Sequence, residues 1–143
     1  MGFMINLSKK YNAKICLDEN QSGFVCAKMR NMRKAIEPSC PVNFGHVWFN
    51  EGMIYKNGVF LIRQPGYYQV AVSFTPERNT GIAARIMVNG KHGNGWARAV
   101  NGGSLSMVTV VKLELYDSIY VDLFEGKTTR AMDANTFQIA KIN

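Results

Sequence analysis

The chain has 143 residues, 47% of them hydrophobic, and its 17 Lys and Arg against 10 Asp and Glu give a net charge of +7. That length suits one domain with a single sizeable core. No run of about 18 apolar residues occurs, which excludes a transmembrane helix, and no charged start, apolar stretch and small-residue cleavage site mark a secretory leader.

Residues 1–22 are polar and weakly patterned, and are expected to form an N-terminal arm or stalk remnant ahead of a globular domain over residues 23–143. They carry two N-glycosylation acceptor patterns, Asn6-Leu7-Ser8 and Asn20-Gln21-Ser22, a match that chance often supplies. The basic excess gathers early: Lys9, Lys10, Lys14, Lys28, Arg30, Arg33 and Lys34 face only Asp18 and Glu19. Such an excess favours anionic partners or simply a solvated face.

From Gly23 the pattern is strands and turns. Phe24 to Met29 reads as the first strand, followed by a loop through Pro38, Cys40 and Pro41 and an extended stretch from Val42 to Phe49. Asn57-Gly58, flanked by Ile54-Tyr55 and Val59 to Ile62, is the strongest hairpin signal in the chain. Pro65-Gly66 opens a long strand to Thr75 in which Tyr68, Val70, Val72 and Phe74 share one face, as a half-buried strand requires. Pro76 to Gly81 is a loop, Ile82 to Val88 a strand, and Asn89-Gly90 a second hairpin turn before the short Trp96 to Val100. Leu105 to Leu115 is apolar on both faces, which predicts burial on both sides. Asp117-Ser118 turns the chain into Ile119, Val121 and Leu123. Gly126 to Asp133 is a polar loop, and Thr136 to Ala140 closes the chain as a strand. Helical periodicity is nearly absent. Short strands with a turn signal every ~8–12 residues predict an all-β antiparallel sandwich.

Catalytic patterns are missing. His46 and His92 belong to no nucleophile-elbow, HExxH or phosphate-loop motif, and Asn89 to Gly95 is glycine-rich without the lysine ending of a P-loop. Cys16, Cys26 and Cys40 are an odd set that cannot pair fully within one chain. Cys26 sits in an apolar strand, where it suits a small buried hydrophobe. A Cys16–Cys40 bridge and an interchain bridge both remain open. No nucleic-acid module is present. Arg85, Lys91, His92, Trp96 and Arg98 fall on adjacent strands and one loop, and form a candidate ligand-binding patch for acidic sugars, phosphorylated lipids or a protein.

Several motifs in order carry a family resemblance. Phe44, Asn50, Tyr55 and Phe60 stand at set spacings before Gly66-Tyr67-Tyr68. Asn50-Glu51-Gly52, Met87-Val88-Asn89-Gly90, Ser104 to Tyr120 with Tyr116-Asp117 at its turn, and Thr136-Phe137 follow. Over residues 23–142 the pattern resembles the C1q-like globular domain of the tumour-necrosis-factor superfamily. Only four residues separate Tyr55 from Phe60 where the family usually has six, Val70 and Val72 replace two aromatics, and no Gly-x-y stalk repeat occurs.

The resemblance implies a ten-stranded antiparallel jelly roll that assembles as a homotrimer, with Tyr68, Phe74, Leu113 and Phe137 as trimer-interface or core residues. It implies a non-enzymatic recognition or adhesion module that binds an acidic glycan, a microbial surface or a protein outside the cell; a leader that has been removed and a protein made without a secretory signal both stay open. Innate pattern recognition is one such role. A receptor-binding ligand of the tumour-necrosis-factor type and a structural trimerising head of a fibre or matrix protein are the alternatives. No catalytic residue, cofactor, metal or nucleic-acid partner is expected. Calcium sites in some members use carboxylates, whereas Ala99 to Gly103 has none and Asp122 and Asp133 stand singly.

Overall fold

A computed structural model describes residues 25–31, 33–93, 95–100, 103–131 and 134–143. The expected arm over residues 1–22, its glycosylation patterns, Cys16 and Asp133 lie outside the described residues. Ten strands follow one another: β1 (Cys26–Asn31), β2 (Gly45–Glu51), β3 (Ile54–Lys56), β4 (Val59–Leu61), β5 (Gly66–Phe74), β6 (Ile82–Val88), β7 (Trp96–Ala99), β8 (Leu105–Leu113), β9 (Ser118–Glu125) and β10 (Thr136–Lys141). They form two five-stranded antiparallel sheets, ordered β2-β1-β10-β5-β8 and β3-β4-β9-β6-β7. This is the antiparallel sandwich that the alternation and turns predict, and the ten-stranded jelly roll that the resemblance implies. Its first two strands start two or three residues later than the sequence suggests.

The core lies between the sheets and follows the period of two. Tyr68, Val70, Val72 and Phe74 of β5 are buried, as are Ile119, Val121 and Leu123 of β9. Leu113 and Phe137 are fully buried too. Thus the four residues named as interface or core are packed inside the chain's own sandwich. Phe137 meets Phe44 at 5.7 Å and Phe60 at 5.0 Å, Phe44 stacks on Phe74 at 5.8 Å, and Tyr55 meets Phe60 at 4.7 Å. The spaced aromatics therefore converge on one cluster, in the offset and edge contacts that aromatic quadrupoles favour.

The other motif residues hold turns. Asn50 accepts from the Met53 N–H at 3.0 Å and donates to its carbonyl at 2.8 Å. Asn89 donates to Asp117 at 2.7 Å and accepts from the Ser118 N–H at 2.8 Å, while Asp117 accepts from the Glu114 N–H at 2.7 Å. Two motifs 28 residues apart are thereby one hydrogen-bonded unit. Asn57 and Gly58 both have positive φ, 52° and 90°, which gives the tight hairpin its twist. At Gly58 a Cβ would stand 2.5 Å from the Val42 carbonyl oxygen, so the turn requires glycine.

One polar pair is sealed into an end of the sandwich. Asn135 is fully buried and Asn31 nearly so. The Asn31 N–H donates to the Asn135 carbonyl at 3.0 Å, and the Asn31 side chain accepts from the Asn135 N–H at 3.3 Å. Asn135 also accepts from the Thr75 N–H at 2.9 Å and donates to the Thr129 carbonyl at 3.1 Å. Buried amides persist where their bonding capacity is filled.

Candidate functional site

The candidate patch of Arg85, Lys91, His92, Trp96 and Arg98 is built on the outer face of the second sheet. Strand register sets Trp96 of β7, Arg85 of β6 and Asp122 of β9 in one row, and Arg98, Ala83 and Glu125 in the next. Each arginine finds a carboxylate in its own row. Arg85 Nε donates to Asp122 Oδ2 at 2.8 Å and its guanidinium lies 4.8 Å from the Phe124 ring centre. Arg98 reaches over the small Ala83 to Glu125 at 2.6 Å. Burial first, then the charge of the Asp122 carboxylate, pushes the Cys40 thiol above its usual range.

Trp96 stands at 65% exposure, so it is surface and not core. Lys91 and His92 are exposed at the hairpin end of the same strands, where the Lys91 and Val88 backbones pair. The structure thus brings Arg85, Trp96 and Arg98 together and sets Lys91 and His92 beyond them. The exposed Arg98–Glu125 pair is worth only about 0.2–1 kcal/mol, but any anionic ligand there must compete with Glu125 and Asp122.

A second cationic surface was not marked as a site in the sequence. On the outer face of the first sheet, Lys28 Nζ lies 4.3 Å and Arg30 Cζ 4.8 Å from the Trp48 ring centre. Arg30 also donates to His46 Nε2 at 3.2 Å, which makes that ring nitrogen the acceptor. The readable signal was the alternation of Lys28 and Arg30 on one strand face; the ring's arrival from β2 was not readable.

The third surface is apolar. β8 buries Leu105, Val111 and Leu113 but presents Val108 at 65% and Val110 at 56% exposure. The strand expected to be covered on both faces is covered on one within a single chain. Val100 at 70% and Trp96 flank the neighbouring β7 side.

Among the described residues, no group of three His, Cys, Asp or Glu could hold a metal ion. A hollow of about 480 Å³ lies beside the loop before β2, lined by Asn31, Lys34, Glu37, Ser39, Asn43 and others. Three of its polar side chains are bonded to backbone: Asn31 donates to the Ala131 carbonyl, Ser39 to the Glu37 carbonyl, and Asn43 accepts from the Gly45 N–H. No helix among the described residues is long and apolar enough to cross a membrane. Cys26 is buried and Cys40 exposed, neither bridged to another described cysteine.

Comparison with known proteins adds to this geometry. The C1q domain profile matches residues 23–138. No curated protein sequence matches. Among solved structures, the globular domain of zebrafish complement 1qA protein superposes with a TM-score of 0.68 at 14% identity, over 83% of this chain and 98% of that one. Murine APRIL gives 0.66 at 10% identity over 83% and 99%, and the Eiger TNF of S. frugiperda 0.63 at 11% over 84% and 93%. At these identities the likeness is one of fold.

Proposed function

The chain belongs to the C1q-domain family, and from that premise we propose that it is a non-enzymatic recognition or adhesion module acting as a homotrimer outside the cell. The observation that carries the trimer is the open apolar stretch of β8, where Val108 and Val110 stand in water in a single chain. Burying exposed apolar area returns about 25 cal/mol per Å², and a packed neighbour is the simplest cover. Three copies would present three identical ligand sites on one body. Linked sites raise avidity by 10²–10⁴ without any new contact, so each site can be modest. An acidic glycan, a microbial surface or a protein is the ligand class, and the excess of 17 basic over 10 acidic side chains supports the anionic choice. The reading includes a role in innate pattern recognition.

The test is binding to surfaces coated with a sulfated glycan at high and low density, for wild type and Val110→Glu. A charge on the open apolar face is expected to leave the fold intact and to separate the chains. Wild-type binding then strengthens about 100-fold or more from low to high density, while the variant's does not. Density-independent wild-type binding would overturn the multivalent reading.

A further inference from the structure

Strand β2 overhangs the sandwich. It stands first in its sheet and, among the described residues, only β1 lies beside it. Val47, Trp48 and Phe49 follow one another at 47%, 50% and 41% exposure. Val47 is paired with Met29, which is fully buried while Val47 is not. The second sheet therefore covers β1 and stops short of β2. Lys28 pairs with Phe49, so Trp48 is the extra residue of a bulge. Bulges re-aim side chains, and this ring stands 4.3 Å from Lys28 Nζ. The edge thus carries exposed apolar side chains on both sides of its backbone. β3 follows after residues 52 and 53, leads the other sheet, and adds Ile54 at 41% exposure.

An apolar edge of this kind recruits another strand unless lysine or proline within it prevents pairing. β2, from Gly45 to Glu51, has neither. A bilayer is a poor cover, because the N–H and C=O groups of a free edge find no partner in hydrocarbon. An extended segment supplies hydrogen bonds and apolar side chains together.

The chain carries such a segment ahead of β1. Phe3-Met4-Ile5-Asn6-Leu7 has four apolar residues in five, with no charge and no proline, and Lys9-Lys10 follows it. Residues 8–24 connect it to Val25, and the next residue, Cys26, is already paired with Glu51 of β2. Those ~17 residues reach about 56 Å when extended. The far end of β2's free edge is roughly 25 Å from Cys26, one strand length along and two strand spacings across. A tether of this kind holds the segment at an effective concentration of about millimolar.

We propose that residues 3–7 add a strand to the free edge of β2 in the same chain. Alternation puts Phe3, Ile5 and Leu7 on the Val47 side, where the second sheet stops, and Met4 beside Trp48 and Phe49. The N-terminal arm is then a cover for its own domain and blocks the edge against foreign strands. β2 and β8 are opposite edges of the first sheet, so this cover leaves β8 open to other copies. The inference does not rest on the recognition reading.

Amide hydrogen exchange of the full chain, read by mass spectrometry, tests the pairing. Residues 3–7 and 45–51 are expected to exchange about tenfold more slowly in wild type than in Ile5→Asp, with residues 105–113 unchanged. Val47→Asp, at an exposed position, releases residues 3–7 by the same factor while near-ultraviolet circular dichroism stays that of wild type. Leu7→Val keeps the protection. Exchange of residues 3–7 at the unprotected rate in wild type overturns the inference. Protection of residues 3–7 that survives Val47→Asp overturns it too, because the segment then lies elsewhere. Protection of residues 45–51 that is unchanged in Ile5→Asp, or that falls as the protein is diluted, makes a second copy the cover and overturns it. A fall in the solution mass of Ile5→Asp does the same, since the arm would then be a subunit contact.

Discussion

Asn135→Ala probes the reasoning about the sealed polar end of the sandwich. The side chain is fully buried and makes two bonds, accepting from the Thr75 N–H at 2.9 Å and donating to the Thr129 carbonyl at 3.1 Å. Alanine removes both. Two such bonds contribute about 2 kcal/mol net, and leaving a part-buried N–H without its acceptor adds about 1–2 kcal/mol. The expected loss is therefore roughly 3–4 kcal/mol, a large share of the 5–15 kcal/mol that holds a typical domain. Asn135→Asp separates the two bonds. Its carboxyl oxygen still accepts from Thr75, but only the protonated acid can donate to Thr129. Ionisation is thus disfavoured in the fold, the folded pKa of that carboxyl is raised, and the variant loses stability as pH rises through it. Urea unfolding at one fixed protein concentration measures both variants, since assembly makes apparent stability depend on concentration. An alanine loss below about 0.5 kcal/mol, the range of ordinary surface substitutions, would refute the account of this pair.

Two further predictions use the same core. Phe137→Ala removes the ring that touches Phe44 and Phe60, and should cost about 3–5 kcal/mol, read from urea midpoints with near-UV circular dichroism reporting the loosened aromatic cluster. Burial pushes the Cys26 thiol up to about 11 from 9.0 and the Tyr68 phenol up to about 12 from 10.0. Both groups are held neutral in the fold, so their contribution is complete below pH 9 and is lost as pH rises through 9 to 12. Urea midpoints should therefore fall across that window, and Cys26→Ala should remove the earlier part of the fall.

The strand pattern was legible because its signals are local. Alternation placed β5 and β6, and Asn57-Gly58 and Asn89-Gly90 placed their turns with the positive φ such turns need. The aromatic cluster could be listed from spacing, but not its contacts. What failed to show depends on register between distant strands. Arg85 meets Asp122 across 37 residues and Arg98 meets Glu125 across 27, so a patch read as cationic is largely balanced. Trp48 reaches Lys28 and Arg30 only through the irregular pairing of β1 and β2. The Asn31–Asn135 pair spans 104 residues and has no periodicity to announce it. For β8 the limit is of another kind. Apolar residues on both faces foretell burial, but a sequence does not say whether the cover comes from the same chain, and Val108 and Val110 find none there.

The central claim is that this open face is closed by two further copies of the chain. Light scattering of the wild-type protein over a range of concentrations, with and without reductant, measures that directly. The account expects the mass of three chains, near three times 16.0 kDa, in both conditions, because packing and not a thiol bridge holds them. A single-chain mass in both conditions, or a trimer that falls apart on reduction, would contradict it.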